Sequence, residues 1–293
     1  MKPYTIGFDI GGTKCAVILG KIEAENVAVL AKERFATTDF PEPRACLEKM
    51  CSLAKQLCTG NHIDMRSVRG IGISCGGPLD PVRGIVQSPP NLPGWDDIPA
   101  VELVSASTGL PAKLENDANA CALAEWRFGA GRGTENMIFL TFGTGMGAGI
   151  IANGRLVSGC TGMAGECGHM RLAPDGPPGY GKHGSFEGFC SGGGIARTAQ
   201  KRAEIALKEG HPFAWCKTPD NLKIITAKSV AEAADSGDED AKKIYEDCGT
   251  RLGQALALLM DILNPEIIVI GSIFVRAGHL LRPAMERSIR ADA

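Results

Sequence analysis

The stretch GFDIGGTKCAVILG, residues 7–20, decides the fold: one apolar run ends on an aspartate, turns through two glycines and a threonine, and a second apolar run begins. Residues 4–8 and 15–19 read as strands, so Gly11, Gly12 and Thr13 occupy a tight connection between them. Such a turn carries bare backbone close to something. The same plan recurs in MIFLTFGTGMGAGIIANGRLV, residues 137–157, as apolar strand, Thr/Gly turn and apolar strand. Two copies of one strand-glycine-strand unit, about half a chain apart, predict two related halves closing over one ligand.

Around the first copy, strands are predicted near 4–9, 14–19 and 27–34, a helix near 43–58, and a strand at 68–74. This alternation is that of an α/β layer fold. The connection GGPLDPVRGIVQSPPNLPGW, residues 76–95, is too long and proline-rich to be mere spacing, and reads as a ligand-facing loop. A strand at 111–115 leads into NDANACALAEWRFGAG, where Asn116 or Asp117 can cap a helix whose apolar positions recur at helical spacing. Residues 160–194 are glycine-rich with few strand or helix signals. Residues 195–263 are mostly helical and stop at Pro265. Residues 267–270 form a buried strand that runs into Gly271, a third glycine at a strand end.

Composition narrows the function classes. The 293 residues are 44% hydrophobic and 22% charged, with a net charge of −2, so there is core enough for two domains and no basic field to draw nucleic acid or an anionic membrane. No segment approaches about 18 uninterrupted apolar residues, and no extended apolar signal region opens the chain, which predicts a cytoplasmic protein. Eleven cysteines are spread through apolar segments and read as reduced core thiols rather than a disulfide framework. Cys160, Cys167, His169 and Cys190 lack the paired spacing of a zinc site.

Backbone amides exposed at a glycine turn form an anion nest, and threonine hydroxyls add donors. Gly11, Gly12, Thr13 and Lys14, and again Gly143, Thr144 and Gly145, can therefore each hold phosphate oxygens. With Asp9 placed to hold a hydrated magnesium ion and Lys14 to neutralise charge, the two turns describe a bound nucleotide. Neither a P-loop nor a dinucleotide fingerprint is present to explain phosphate binding otherwise. GISCG at 72–76 spells a nucleophile elbow, but Gly76, Gly77 and Pro78 prevent the helix that a serine hydrolase needs there.

The set DIGGTK (9–14), ENDANACALAE (115–125), TFGTGMGAGI (141–150), GECGHM (165–170) and IIVIGS (267–272) resembles the ROK family, sugar kinases and related repressors of the actin-like ATPase superfamily. The resemblance spans nearly the whole chain. It implies an α/β, two-domain actin-like ATPase (ribonuclease-H-like) fold with duplicated βββαβα units. Residues 1–115 would form the N-terminal domain, with the first phosphate loop and a sugar-facing loop. Residues 116–293 would carry the catalytic aspartate, the second phosphate loop and the sugar-binding segment, with the last residues free to pack back on the first domain.

The implied activity is transfer of the γ-phosphoryl group of ATP, with Mg²⁺, to a hydroxyl of a hexose or N-acetylhexosamine, usually the 6-OH. The alternative is a sugar sensor without catalysis and without a DNA-binding domain, since only eight residues precede Asp9. By the resemblance, Asp117 is the general base and Asn116 binds the same sugar. Glu166, His169 and Glu187 bind its remaining hydroxyls, and Asn91 reaches it from the other domain. Gly271 lies near the adenosine, and a homodimer is expected.

Two departures from the family pattern stand out. The zinc knuckle CxCGxxGC is replaced by PGYGKHGS, 178–185, with Pro178, Tyr180 and Ser185 at the cysteine positions, so no zinc is expected. Ser272 stands where a second glycine is usual, and the chain stops at Ala293, earlier than is common in the family. Nothing in the residues distinguishes one hexose from its epimers.

Overall fold

The computed structural model describes residues 2–24 and 26–293; Met1, where the first expected domain begins, and Glu25 lie outside the described residues. The chain divides into two compact units, Met1–Arg132 with Leu156–Ala164, and Gly133–Arg155 with Gly165–Ala293. The expected division after Glu115 falls inside the first unit. The helix that follows is tied to its strand, because Asn119 Nδ2 donates to Glu115 Oε1 at 2.9 Å.

In the first unit, β1 (Tyr4–Ile10), β2 (Lys14–Ile22) and β3 (Val27–Ala36) are followed by α1 (Pro43–Gly60), β4 (Val68–Cys75) and a hairpin of β5 (Leu79–Asp80) and β6 (Ile85–Val86). Then come α2 (Ala100–Thr108), β7 (Ala112–Asn116) and α3 (Asp117–Phe128). The sheet order is β3-β2-β1-β4-β7. β1 pairs antiparallel with β2 and parallel with β4, and β4 pairs parallel with β7. Alternation buries Ile6, Phe8 and Ile10 on one face of β1. They meet the α1 stripe of Cys46, Leu47, Met50 and Ala54, spaced as one helical face requires. Pro43 at the first helical position and the Glu42 carboxylate, accepting the Ala45 amide at 2.7 Å, start α1 where the sequence places it. Ser74 sits inside β4 with no helix after it, so the elbow reading is excluded by backbone geometry as well as by spelling.

In the second unit, β8 (Met137–Phe142) and β9 (Met146–Ala152) form the second hairpin, with the two-residue β10 (Arg155–Leu156) at its edge. Short elements fill the glycine-rich region: β11 (Pro178–Gly179), β12 (Lys182–His183) and α4 (Phe186–Phe189). The helices α5 (Gly192–Lys208), α6 (Pro219–Leu222), α7 (Ala227–Asp235) and α8 (Glu239–Leu263) precede β13 (Ile267–Ile270) and α9 (Ile273–Asp292). β13 pairs parallel with β8, as β4 does with β1. The duplication is therefore real in topology: an antiparallel hairpin, then a parallel strand on the far side of its first strand. α8 ends on Asn264 in the left-handed conformation at φ 41° before Pro265, so both residues stop it.

Nine of the eleven cysteines are buried and free, as core thiols should be, while Cys121 and Cys160 are exposed. Among the described residues no helix is long and apolar enough to cross a membrane.

Candidate active site

In the first unit the candidate residues gather at the carboxyl ends of the parallel strands, where α/β sheets place ligands. The β1, β4 and β7 register sets Asp9 beside Ser74 and Ser74 beside Glu115. Asn116 and Asp117 follow at the start of α3. Asn116, not Asp117, is the cap: its Oδ1 accepts from the Ala118 amide at 2.9 Å and the Asn119 amide at 3.4 Å. Only its Nδ2 is left for a ligand. Asp117 accepts from the Ala118 amide through one oxygen, at 2.8 Å.

That bond and the helix N-terminus favour an ionised Asp117, yet its pKa is raised. Part of the side chain faces solvent, but the carboxyl lies among enough protein to lose hydration, and this desolvation outweighs the Ala118 bond; the negative charge of Asp9 raises the pKa further. Desolvation therefore outweighs the helix N-terminus at this carboxyl. A carboxylate with a raised pKa is a stronger base.

The first glycine turn is held from below. Gly11 spends its amide on the Lys14 carbonyl at 3.2 Å, leaving the Gly12 and Thr13 amides without a backbone acceptor among the described residues. Gly12 is glycine for a steric reason: a Cβ there would lie 2.4 Å from the Asn91 carbonyl oxygen and 2.9 Å from the Asn91 Cβ. The first glycine turn and Asn91 are thus in contact, and the Asn91 loop is anchored by Leu92 and Trp95, exposed by only 2% and 1%. Asp9 and Lys14 are exposed at the two ends of this turn.

In the second unit the Gly143 amide likewise closes its own turn, onto the Gly145 carbonyl at 3.1 Å. Glu187 packs against this turn: its Oε2 accepts the Met146 amide at 3.0 Å, and a Cβ on Gly145 would come within 2.7 Å of it. The segment carrying Glu166 and His169 is fastened to β9 by the Ala148 amide on the Gly165 carbonyl, 2.9 Å. His169 Nε2 is 3.7 Å from Glu166 Oε2, and its ring stacks on Tyr180 with centroids 4.6 Å apart and planes at 22°. Tyr180, stacked on His169, and Thr37, whose hydroxyl donates to the Gly11 carbonyl at 2.6 Å, are contacts of candidate residues that the sequence reading missed; for Tyr180 the only signal was its place in the altered knuckle.

A cavity of about 840 Å³ opens beside the second turn, lined by Gly143, Thr144, Gly192, Gly193, Tyr245, Ser272 and Arg276 among others. Its size and mixed lining suit a nucleoside. Gly271 supports its rim, donating its amide to Leu140 O at 3.0 Å.

Zinc does not fit the altered knuckle. Pro178 and Tyr180 supply no ligand set, and the Ser185 hydroxyl is buried, accepting the Gly188 amide at 3.1 Å and lying 3.4 Å from the Gly179 carbonyl oxygen. Among the described residues no group of three or more His, Cys, Asp or Glu could hold a metal.

The ROK family model matches residues 5–292. A glucokinase of Halalkalibacterium halodurans is 33% identical over 99% of this chain and 86% of its own length. The structure is similar to that of a ROK family glucokinase from Streptomyces griseus in complex with glucose and AMPPNP, at TM-score 0.77 and 33% identity over 98% of this chain and 89% of that one. It is also similar to a ROK family transcriptional regulator homologous to the Escherichia coli MLC protein, at TM-score 0.83 and 25% identity over 99% of this chain and 70% of that one. With the duplicated hairpin-and-parallel-strand topology and the motif order already described, these matches place the chain in the ROK family, on the actin-like ATPase fold.

Proposed function

We propose that this protein is a sugar kinase that transfers the γ-phosphoryl group of ATP to a hydroxyl of a hexose or N-acetylhexosamine, the 6-OH being the expected acceptor. The observation that carries the reading is Asp117 with its raised pKa, at the start of α3 beside the carboxyl ends of three parallel strands that also present Asp9. Full-length similarity to glucokinases supports the same reading.

Asp117 accepts the proton of the attacking hydroxyl as the oxygen becomes a nucleophile, a step that a well-placed carboxylate accelerates by roughly 10²–10⁴. On the first unit the candidate sugar contacts are Asn116 Nδ2 and Asn91, and the candidate phosphate donors are the Gly12 and Thr13 amides and Lys14; on the second, Glu166, His169 and Glu187 are the candidate sugar contacts and the turn of Gly143, Thr144 and Gly145 the candidate phosphate donor. Asp9 is an exposed carboxylate suited to a hydrated Mg²⁺, and the 840 Å³ cavity to adenosine. When bound, Mg²⁺-ATP supplies the phosphoryl group and the countercharge for its transfer.

The similarity to a ROK transcriptional regulator favours one second reading, a sugar sensor that binds without turnover. ADP release from Mg²⁺-ATP across a panel of hexoses and N-acetylhexosamines, wild type beside Asp117→Asn, separates the two. Turnover on a sugar, lost in the variant, is the kinase result. Calorimetric sugar binding with no turnover on any sugar would overturn it in favour of the sensor.

A further inference from the structure

The second unit holds another cavity, of about 690 Å³, that shares no lining residue with the one assigned to the nucleoside. Its walls are α5 on one side, α8 on the other, and the hairpin of β11 and β12 with Phe189 of α4 between them. The interior is apolar, formed by Phe189, Ile195, Ile244 and Cys248. The charges at its mouth are one-sided: Arg197, Lys201, Arg202 and Arg251 face a single carboxylate, Asp247.

Many cations elsewhere on the helices of this unit have a carboxylate partner: Lys208 with Glu204, Lys228 with Glu232, Lys242 with Glu239, Arg287 with Glu246, and Arg282 and Arg290 with Glu286. At the cavity only Arg202 has a carboxylate partner, Asp247. Arg197 and Lys201, one helical turn apart on α5, have none among the described residues, nor has Arg251 on α8. In a chain of net charge −2 this is a local excess of positive charge around a concave apolar surface.

The guanidinium groups are also held in place. Arg197 Nη2 donates to the Pro178 carbonyl at 2.7 Å. Arg251 lies over the Phe189 ring, 4.8 Å from its centroid, and donates to Gln254 Oε1 at 2.9 Å. Each keeps further N–H groups, since a guanidinium carries five donors. Two fixed guanidinium forks and a free ammonium match the oxygens of a doubly charged tetrahedral anion better than those of a single carboxylate. The enclosed volume limits the ligand to a small molecule, and the apolar floor asks for a compact carbon body behind the charge.

We propose that this cavity is a binding site for a small phosphomonoester, separate from the catalytic residues. Arg197 and Arg251 hold the phosphate oxygens, Lys201 closes over them from α5, and Phe189, Ile195 and Ile244 take the organic group. The inference is independent of which sugar, or whether any sugar, is phosphorylated.

The test is isothermal titration calorimetry of the full chain at low and high salt with phenyl phosphate, inorganic phosphate and, as the uncharged comparison, phenol. Saturable binding of phenyl phosphate, tighter than inorganic phosphate and weakened by salt, is expected, with no binding of phenol. Lys201→Gln, on an exposed helical position, should weaken it at least threefold and leave sugar-dependent ADP release unchanged. Arg197→Gln with Lys201→Gln should weaken it at least tenfold. Absence of saturable binding, or binding that both variants leave intact, would overturn the proposal; the latter would place the anion at the glycine turns instead.

Discussion

Thr37 Oγ1 donates a 2.6 Å hydrogen bond to the carbonyl of Gly11, and its amide donates to the Thr13 carbonyl at 3.1 Å, so one residue after β3 clamps the first glycine turn twice. The Cys15 thiol lies 3.5 Å from the same hydroxyl, and Thr37 is only 8% exposed. The turn is therefore set by the floor beneath it. Thr37→Val keeps the shape and removes the donor, stranding a carbonyl at a cost of about 1–3 kcal/mol. The expected result is a KM for ATP raised at least fivefold with the sugar KM little changed, and recovery in Thr37→Ser; steady-state kinetics with each substrate varied checks it.

Asp117→Asn removes the base but keeps the shape, so kcat should fall by about 10²–10⁴ while the sugar KM stays within a few-fold. Wild-type kcat/KM should show an acid limb above the ordinary aspartate value of 3.8, because only the ionised form accepts a proton.

The same residue makes a prediction about stability of the opposite sign to the usual carboxylate. A raised folded-state pKa means the native protein holds this proton more tightly than the unfolded chain, so its contribution to stability falls as pH rises from 3.8 through the raised value. Asp117→Asn should therefore melt higher than wild type at neutral pH, with the gap closing below pH 3.8. Thermal melts across pH would refute the assignment if the variant were the less stable at pH 7.

Tyr180 holds one face of His169 where the family's metal-centred knuckle is missing. Stacked aromatic pairs contribute about 0.5–1.5 kcal/mol, so Tyr180→Ala should raise the sugar KM by roughly two- to tenfold, and Tyr180→Phe should not. Pretreatment with a chelator, removed before Mg²⁺ and ATP are added, should change neither kinetics nor melting temperature, and elemental analysis should find no stoichiometric zinc. Stoichiometric zinc would show that other groups hold the metal.

Ser272 sits at φ 56°, ψ −107°, before α9, with no side-chain cap bond. An L-residue there is strained by about 1–3 kcal/mol, which glycine would relieve. Ser272→Gly should raise the melting temperature by a few degrees, measured by calorimetry.

The strands, α1 and the two glycine turns were legible in the residues because each follows from local pattern: period-two burial in β1, an apolar stripe in α1, and glycine and threonine clustered between two apolar runs. The candidate site residues were read as a set of positions, since the order of motifs is linear information. What each position does was less legible. The helix start at 116–117 could be read as a cap by either residue, and only the built helix directs Asn116 Oδ1 into two amides and leaves Asp117 with the single Ala118 bond. The raised pKa of Asp117 depends on the crowding around its carboxyl and on Asp9, which sits two strands away in the sheet. Tyr180 meets His169 and Thr37 meets Gly11 across loops whose paths have no periodic signal.

By itself, then, the sequence determined the duplicated α/β plan, the two glycine turns and the family, because backbone propensity and burial period act over neighbouring residues. Tertiary structure decided how the Asp117 carboxyl is desolvated, that Tyr180 stacks on His169, and where cations without a carboxylate partner collect around a second cavity. Desolvation, stacking and charge balance are sums over groups far apart in the chain, and they take a value only once folding brings those groups together.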